Sequence, residues 1–361
     1  MCDMRLLVLG GTQFVGRAIV DEALGRGHDV TTFTRGRGGR PRPGAEALHG
    51  DRTRPGDLLQ LAGRDWDAVI DTSVLAPAHV AEGARLLADR AGHYTYVSTV
   101  GVYRDHPRAP VTEDSPTRAC PPDAAGTVET LGYGELKAGT ERAIAAEFPG
   151  RYLIVRPGPI AGPHDDVGCL PWWLARIARG GRVLAPGKPG QPVRLTDARD
   201  LAAWILDNTR RRIPGIVNVP GPDGHTLGEF LGICMDVTGT GTGAAASLVW
   251  ADDAVLLAAG VQPCDELPFW TPDVPDLAGT WQVSGERALL TGIRYRPLAD
   301  TVRDTWRWLL QSAGGLGGPS PQAGTAGSLA NGGTESLVTS FERRPGTGLD
   351  PAREREILAS L

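Results

Sequence analysis

Two side chains suited to proton transfer, Tyr133 and Lys137, lie four residues apart in the segment YGELK. Residues at this spacing share one face of a helix, so the phenol and the ammonium are expected to lie together. A phenol with an ordinary pKa of about 10 is a poor base at neutral pH, whereas a lysine within about 4–6 Å favours its phenolate. The pair therefore predicts transfer of a proton between Tyr133 and a substrate oxygen.

Two hydroxyl groups, those of Ser98 and Thr99, end a predicted strand in HYTYVSTV. Ligands of open α/β sheets bind at the carboxyl ends of the strands, so either hydroxyl is placed to position a substrate oxygen. Lys137 would also hold the ribose of a nicotinamide, with hydride passing between the nicotinamide and the substrate carbon. The residues alone leave both hydroxyls open.

A glycine-rich loop, LGGTQFVGRA, stands between a predicted buried strand and a predicted helix. Glycines there allow a tight turn, and the helix N-terminus offers free N–H groups to a pyrophosphate. Gln13 replaces a central glycine, so its side chain must point away from the phosphates or touch them. The loop predicts a dinucleotide site, with a plain strand-to-helix turn as the alternative. The predicted binding residues are Gly10, Gly11, Thr12, Gln13, Phe14, Val15 and Gly16.

The second predicted strand ends in TTFTRGRGGR, without the acidic residue that would bind the adenine ribose of NAD. Arg35 and Arg37 stand there instead, and a guanidinium suits a 2′-phosphate. Asp51 in HGD is placed to accept from an adenine amino group. We therefore predict NADP(H), with NAD as the alternative cofactor. The arginines could equally form a solvated loop.

Strands and helices alternate along the first half of the chain, which predicts an α/β fold with a Rossmann-type, doubly wound parallel sheet. Residues 1–157 are predicted to form the dinucleotide-binding domain. Residues 158–311, which close with an amphipathic helix, are predicted to form a small C-terminal substrate lobe with some return to the core. Residues 312–361 have the composition of a flexible Gly/Ser-rich tail, in which Asp350 and Pro351 could start a terminal helix.

The segment GPHDDVGCLPWWLARIARGGRV is the predicted substrate lid. His164 and Trp173 could line a pocket for a polar, ring-bearing molecule, although paired tryptophans on a helix more often belong to a core. His164 and Asp165 lack a third ligand nearby, so no metal is predicted. Asp197, Arg199 and Asp200 are expected to form a structural ion-pair turn before the next helix.

The composition, with 41% hydrophobic and 22% charged residues, is that of a globular protein, and the net charge of −5 provides no basic field. Five scattered cysteines without a C-x-x-C pair favour a reducing compartment. We expect a cytoplasmic protein that acts on a small molecule, without a membrane partner. Nucleic acid is not the expected partner, although Arg35 to Arg42 form a local basic patch.

Six motifs together make the chain resemble an extended or atypical short-chain dehydrogenase/reductase of the NAD-dependent epimerase/dehydratase type. They follow the order of that family over about residues 5–310, and they are GGTQFVG, HGD, VSTVGVY, YGELK, RPGPIAGP and VRLTDARDLAAWIL. The resemblance implies a cofactor-binding Rossmann domain, a small substrate lobe and a homodimer. It also implies that Gln191 and Arg194 lie where family members contact substrate, so Arg194 is expected to bind an anionic or hydroxylated group. Counting back four residues from Tyr103, as in family members, assigns Thr99 as the catalytic hydroxyl and leaves Ser98 as a substrate contact.

Three departures from the family pattern bear on the substrate. Gln13 replaces the central glycine, as in a branch that includes chloroplast RNA-associated proteins. Pro159 replaces the asparagine that contacts the nucleotide diphosphate in sugar-nucleotide enzymes, and Val100 and Gly101 replace the Asp-Glu of dehydratases. The last two departures weaken the prediction of a nucleotide-sugar substrate and leave the redox residues intact.

Three functions follow as hypotheses. The first is an NAD(P)-dependent oxidoreductase that acts on an alcohol or carbonyl of a small polar metabolite. The second is an epimerase or dehydratase on a sugar or nucleoside, with internally recycled NAD(P)+. The third is a non-catalytic cofactor-binding regulator or RNA-associated protein. Net consumption of added cofactor distinguishes the first from the second.

Overall fold

The chain forms two compact units. The computed structural model describes residues 3–107, 109–239, 245–314 and 347–361. The first unit comprises Met1–Ile160, Thr196–Pro222 and Gln282–Tyr295, and the second comprises Ala161–Leu195, Asp223–Trp281 and Arg296–Leu361. The chain thus leaves the first unit at Ile160 and returns to it twice.

The regular elements are numbered in chain order. The strands are β1 (Arg5–Leu9), β2 (Asp29–Thr34), β3 (Glu46–His49), β4 (Ala68–Asp71), β5 (Tyr94–Val97), β6 (Tyr152–Pro157), β7 (Ile160–Ala161), β8 (Gly181–Pro186), β9 (Thr196–Asp197), β10 (Gly215–Val219) and β11 (Ala246–Ala251). The helices are α1 (Phe14–Gly25), α2 (Pro55–Leu58), α3 (Pro77–Leu87), α4 (Val128–Leu131), α5 (Tyr133–Glu147), α6 (Cys169–Ala178), α7 (Ala198–Arg210), α8 (Leu227–Thr238), α9 (Asp253–Ala258), α10 (Glu286–Leu290), α11 (Leu298–Gly314) and α12 (Pro351–Ser360).

Seven strands of the first unit form one parallel sheet in the order β10-β6-β5-β4-β1-β2-β3. The strands read as continuous apolar runs because helices cover both faces of such a sheet, and Leu6 to Leu9 are buried accordingly. The prediction of a doubly wound Rossmann-type fold is confirmed. Strand order reverses between β1 and β4, and open sheets of this kind bind ligands at that point.

The edge strand β3 was not anticipated from the sequence. Its four residues, EALH, show no buried face, since Glu46 and His49 are exposed. Glu46 is tied down by polar contacts instead, accepting a hydrogen bond from Thr31 Oγ1 at 3.1 Å and pairing with Arg64. Hydrophobic periodicity cannot reveal a strand that is held at the sheet edge by pairing and charge.

The second unit is built on α6, α8 and α11 around an apolar core. A two-stranded parallel pair, β8 with β11, belongs to the same unit. The core contains Trp173, Phe230, Trp270 and Val302, all fully buried. This core is formed mainly by the apolar faces of helices and not by a continuous sheet. For that reason this part of the sequence lacks a regular strand–helix alternation.

The C-terminal helix α12 packs against the second unit. As expected, Asp350 caps its N-terminus, accepting from the N–H groups of Ala352 and Arg353 at 2.8 and 3.2 Å, with Pro351 in the first turn. Ile357 and Leu358 join the apolar core. The prediction of a flexible tail over 312–361 is therefore corrected at both ends, because α11 runs to Gly314 and α12 is docked; residues 315–346 lie outside the described residues.

A charged contact fixes α12 in place. The carboxylate of Glu354 pairs with Arg176 Nε of α6 at 2.6 Å and accepts from Leu184 N of β8 at 3.1 Å. Both charged side chains are buried, so the pair is shielded from solvent. Across the described ranges, no helix has the length and apolar character needed to cross a membrane.

Candidate active site

The glycine loop after β1 forms a backbone cradle at the carboxyl edge of the sheet. Gly10 has a φ of 116°, and a Cβ there would lie 2.4 Å from Thr72 Oγ1. A Cβ on Gly16 would lie 2.7 Å from the backbone nitrogen of Gly11. The two glycines therefore allow the loop to pack closely on α1 and on Thr72 after β4. The N–H groups at the α1 N-terminus fit a dinucleotide pyrophosphate at this place.

The other residues of the loop take distinct positions. Gln13 is extended, with φ −126° and ψ 149°, and precedes the first turn of α1. Phe14 is buried with a positive φ of 32°, and Val15 packs against the sheet core. The side chain of Gln13 faces the arginine-rich loop after β2, since a Cβ on Gly38 would lie 3.1 Å from its Oε1 and 2.9 Å from Thr12 Oγ1. Because Gly38 has no side chain, it leaves room for the side chain of Gln13, which replaces the central glycine of the loop.

Arg35 and Asp51, the residues predicted to contact the adenosine part of the cofactor, lie close enough to interact electrostatically. Asp51 accepts hydrogen bonds from Thr53 N at 3.0 Å and Thr53 Oγ1 at 2.8 Å. These bonds, with a contribution from the charge of Arg35, lower the pKa of Asp51 below its usual value. Asp51 is therefore charged, and it follows β3 as Arg35 follows β2, at the same edge of the sheet as the glycine cradle.

Tyr133 and Lys137 occupy the first turns of α5 in contrasting environments. The Tyr133 side chain is 41% exposed, whereas Lys137 is 2% exposed. Lys137 Nζ donates to Val97 O at 2.8 Å and to Ser73 O at 3.1 Å, and it lies 5.9 Å from the centre of the Tyr133 ring. The ends of two neighbouring strands thus fix a buried ammonium beside an accessible phenol.

Thr99 follows β5 and begins a short 3₁₀ turn, Val100–Val102. Its Oγ1 accepts a hydrogen bond from Gly101 N at 3.1 Å. A hydroxyl can accept and donate at once, so its proton remains available for a substrate oxygen. The first turn of α5 packs directly on this turn, because a Cβ on Gly134 would lie only 2.3 Å from Gly101 O. Thr99, Tyr133 and Lys137 are therefore brought together in the first unit.

Substitution of Gly134 by alanine tests this close approach. The added methyl group would overlap a backbone oxygen that cannot rotate away, so α5 must move off the Thr99 turn. We expect kcat to fall roughly 100-fold, as displacements of about 1 Å in catalytic groups can cost that much. Gly232→Ala on α8 is the matched control, because its Cβ would meet nothing within 4 Å. Equal turnover by the two variants would contradict the expectation.

The interpretation of Ser98 as a substrate contact is corrected. Ser98 is buried, and its hydroxyl donates to Glu141 Oε1 on α5. Arg156 of β6 holds the same carboxylate through Nε at 3.0 Å and Nη2 at 2.6 Å, and its Nη1 donates to Tyr103 OH at 3.0 Å. Ser98 thus belongs to a buried polar network that ties α5 to the strand ends. An arginine inside the apolar run YLIVRP was the available signal for this network.

The interpretation of Trp173 as a pocket residue is also corrected, since the alternative of a core tryptophan is the one observed. Its side chain is 0% exposed, and its indole Nε1 donates to Pro268 O at 2.8 Å. The other predicted substrate residues lie in the second unit. The ring of His164 packs edge-on against Trp308 with centroids 5.2 Å apart, and Arg194 Nε lies 3.2 Å from Asp223 Oδ1.

The predicted ion-pair turn is confirmed for Asp197 and Arg199 in the first unit. Asp197 caps α7 by accepting from Arg199 N at 2.8 Å, and it pairs with the Arg199 guanidinium at 2.7 Å. This turn is structural, since both partners are engaged at the start of a helix.

Asp165 is a buried carboxyl group in the second unit. Its Oδ1 accepts from Val167 N and Gly168 N, each at 3.0 Å. Its Oδ2 is buried without a hydrogen-bond partner among the described residues. Burial raises the pKa of Asp165 to about 7, with a smaller contribution from the neighbouring charge of Asp166. The proton is therefore bound more tightly in the folded chain than in the unfolded chain, where an aspartate has a pKa of about 3.9.

Asp165 should make stability depend on pH. Because the folded-state pKa is the higher one, the free energy of unfolding falls as pH rises from about 4 to about 7, by about 4 kcal/mol at most. Asp165→Asn removes this titration, so urea unfolding at about pH 4.5 and about pH 8 should show a smaller pH effect in the variant. Identical pH dependence in both proteins would contradict the expectation.

The fold is a Rossmann-type α/β fold, and a glycine cradle and a Tyr-x-x-x-Lys pair lie at the carboxyl edge of its sheet. The model of the NAD dependent epimerase/dehydratase family matches residues 6–219, and the chain belongs to that family. It is accordingly an enzyme of the short-chain dehydrogenase/reductase type. Members of this family depend on NAD, as the name of the family states.

Two curated relatives are similar over most of their length. A UDP-glucose 4-epimerase from Corynebacterium glutamicum is 25% identical over 322 residues, which cover 76% of this chain and 92% of the relative. A dTDP-6-deoxy-L-talose 4-dehydrogenase (NAD(P)(+)) from Kitasatospora kifunensis is 26% identical, with 66% of this chain and 80% of the relative covered. Among solved structures, the Bordetella bronchiseptica enzyme WbmH in complex with NAD+ shares the fold, with a TM-score of 0.64 and 17% identity over 85% of this chain and 98% of that one.

Proposed function

We propose that the enzyme carries out NADP(H)-dependent oxidation or reduction at an alcohol or carbonyl carbon of a sugar-like metabolite. The single observation that carries the proposal is the buried ammonium of Lys137 beside the accessible phenol of Tyr133. The two relatives named above act, by their names, at position 4 of a nucleotide-linked hexose, which supports a hydroxylated ring as the substrate class. Pro159, Val100 and Gly101 argue for a substrate other than that of typical nucleotide-sugar dehydratases.

The residues of the chain divide the chemistry among them. A bound nicotinamide would supply or accept hydride at the reacting carbon. Tyr133 transfers the proton of the substrate oxygen, and the positive charge of Lys137 stabilises the phenolate. Thr99 donates its hydroxyl proton to the same oxygen and so fixes its position. His164 and Arg194 are the proposed substrate contacts of the second unit.

A second candidate function is epimerisation with a retained cofactor, which the relationship to the UDP-glucose 4-epimerase favours. The first experiment is mass spectrometry of the gently denatured protein, followed by incubation with NADP+ or NAD+ and a panel containing UDP-glucose and UDP-galactose. Stoichiometric formation of reduced cofactor supports the oxidoreductase. Interconversion of the two sugars without net reduction supports the epimerase. Failure to bind either cofactor would refute both.

Arg35 should decide between the two cofactors. It follows β2 directly and has an exposed side chain, so Arg35→Asp would place a carboxylate where a 2′-phosphate is proposed to bind. We expect the Kd of NADP+ to rise roughly 10- to 100-fold while that of NAD+ is unchanged or falls, because a charge-assisted hydrogen bond contributes about 1.5–3 kcal/mol. Titration of the intrinsic fluorescence measures both. Arg40→Asp in the same loop is the matched control, and a similar loss in both variants would mean general electrostatics.

A further inference from the structure

A buried ion pair lies directly behind Ser73, one of the residues that hold Lys137. Arg52 Nη1 lies 3.0 Å from the carboxylate of Asp71 at the end of β4, and both side chains are buried. The same nitrogen donates to Ser73 Oγ at 2.7 Å. None of these three residues was singled out from the sequence. Asp71 and Ser73 are 19 and 21 positions from Arg52, and the three meet only in the folded chain.

Ser73 is held at three points. Its N–H donates to Asp71 Oδ1 at 2.8 Å, its hydroxyl accepts from Arg52, and its carbonyl oxygen accepts from Lys137 Nζ at 3.1 Å. The first two contacts fix Ser73 in place. The third contact makes the position of the Lys137 ammonium depend on the position of the Ser73 carbonyl oxygen. Rotation of this carbonyl would therefore displace Lys137.

Stability alone does not account for the ion pair. Buried ion pairs contribute little net stability and can often be replaced by apolar side chains. In this case the Nε and Nη2 atoms of Arg52 are buried and receive no hydrogen-bond partner among the described residues. Burial by itself raises the pKa of Asp71, but the charge of Arg52 and the bonds from Ser73 outweigh it, so the pKa is lowered and the carboxylate is charged. A charged pair with unsatisfied donors indicates a positional role.

We propose that Arg52 and Asp71 are positioning residues for Lys137, acting through the Ser73 carbonyl. The proposal rests on the proposed function only in that Lys137 is taken to tune Tyr133. Because Arg52 directly follows Asp51, the contacts also join the loop predicted to bind adenine to the lysine beside Tyr133. With this clamp of Arg52, Asp71 and Ser73 intact, the Ser73 carbonyl holds the ammonium in place before a substrate arrives. Without it, Val97 O still accepts from Nζ, but the position set by Ser73 O is lost.

The chain offers a direct readout, since Lys137 and Lys188 are its only lysines. Full-length protein labelled with ¹³C at lysine Cε should show two lysine signals, which Lys188→Arg assigns. We expect Ser73→Ala and Arg52→Met to shift the Lys137 signal, and to lower kcat roughly tenfold with an altered pH profile. Ser73→Ala keeps the ion pair, so the test survives if Arg52→Met fails to fold.

Tyr94→Phe is the matched control. Tyr94 OH donates to Asp71 Oδ2 at 2.7 Å, so this variant removes a bond to the same carboxylate without touching Ser73. The Lys137 signal is expected to stay in place. An unmoved signal in Ser73→Ala and Arg52→Met, or an equal shift in Tyr94→Phe, would overturn the proposal. If the signals behave as expected but Lys137→Met leaves turnover of the cofactor and sugar panel unchanged, the clamp stands and the proposed function fails.

Discussion

Replacement of Tyr133 by phenylalanine is expected to lower kcat by roughly 10²–10⁴-fold, the range that general acid–base catalysis contributes. The phenol is 41% exposed, so the loss of one hydroxyl should leave the free energy of unfolding within about 0.5 kcal/mol of the parent. Cofactor affinity should also be retained, because Tyr133 is not among the residues predicted to bind the dinucleotide and Lys137, which is expected to hold the nicotinamide ribose, is unchanged. Turnover with the sugar panel, cofactor titration and urea unfolding measure the three quantities.

The control for this experiment is Tyr152→Phe. Tyr152 is the first residue of β6, so it lies at the edge formed by the amino ends of the parallel strands. Lys137 is held at the opposite edge, where the carboxyl ends of the strands lie. Its removal should leave kcat unchanged. If Tyr133→Phe keeps more than about half of the parent turnover, another group carries the proton and the proposed mechanism is wrong.

Replacement of Arg156 by methionine is expected to lower the free energy of unfolding by roughly 3–5 kcal/mol, the cost of leaving a buried charge without its partner. Arg156 and Glu141 are almost completely buried, and the pair is bidentate. Among the described residues, its loss would leave Ser98 as the remaining side-chain donor to the Glu141 carboxylate. Because Ser98 precedes Thr99, kcat should fall together with stability. Urea unfolding and turnover of the same preparation test both effects.

Arg85→Met provides the comparison for Arg156→Met. Arg85 pairs with Glu147, also on α5, at 2.7 Å, but the arginine side chain is 68% exposed. An exposed pair of this kind contributes about 0–1 kcal/mol. A loss below about 1 kcal/mol in Arg156→Met, or equal losses in the two variants, would show that the buried network does not hold α5 in place.

The local motifs carried most of the information that the sequence could provide. With six tyrosines and two lysines in 361 residues, roughly 0.03 Tyr-x-x-x-Lys pairs are expected by chance, so the YGELK segment was far more informative than the motif is in general. The buried strands were recognisable because a parallel sheet buries both faces. Gly10, Gly11 and Gly16 were recognisable as a dinucleotide loop from their spacing between a strand and a helix. The structure gives the physical reason for that spacing, since a Cβ at each of the three positions would meet neighbouring atoms.

The remaining features depend on partners that are distant in sequence. Ser98 and Thr99 carry the same functional group, and the family resemblance, not the local pattern, selected Thr99 as the catalytic hydroxyl. What removes Ser98 from the site is a glutamate 43 positions away, which accepts a hydrogen bond from its hydroxyl. Trp173 is of a residue type that often lines ligand pockets, but the carbonyl oxygen of Pro268, 95 positions away, accepts a hydrogen bond from its indole N–H. Neither pairing has a local periodicity, and no pattern within one segment could have predicted it.

The interrupted chain path of the first unit has a consequence for the order in which it can fold. α7, which comes from the returning segment Thr196–Pro222, packs on α1. Leu201, Ala202 and Ile205 cover Ile19, Val20 and Ala23 in one apolar cluster. On the ribosome, the glycine cradle and its helix would be synthesised long before this cover exists, so the nascent first unit would present an apolar helix face until at least residue 205 has emerged. A fragment ending at Ile160 would keep Thr99, Tyr133 and Lys137 and still lack the α7 residues that cover this apolar face of α1.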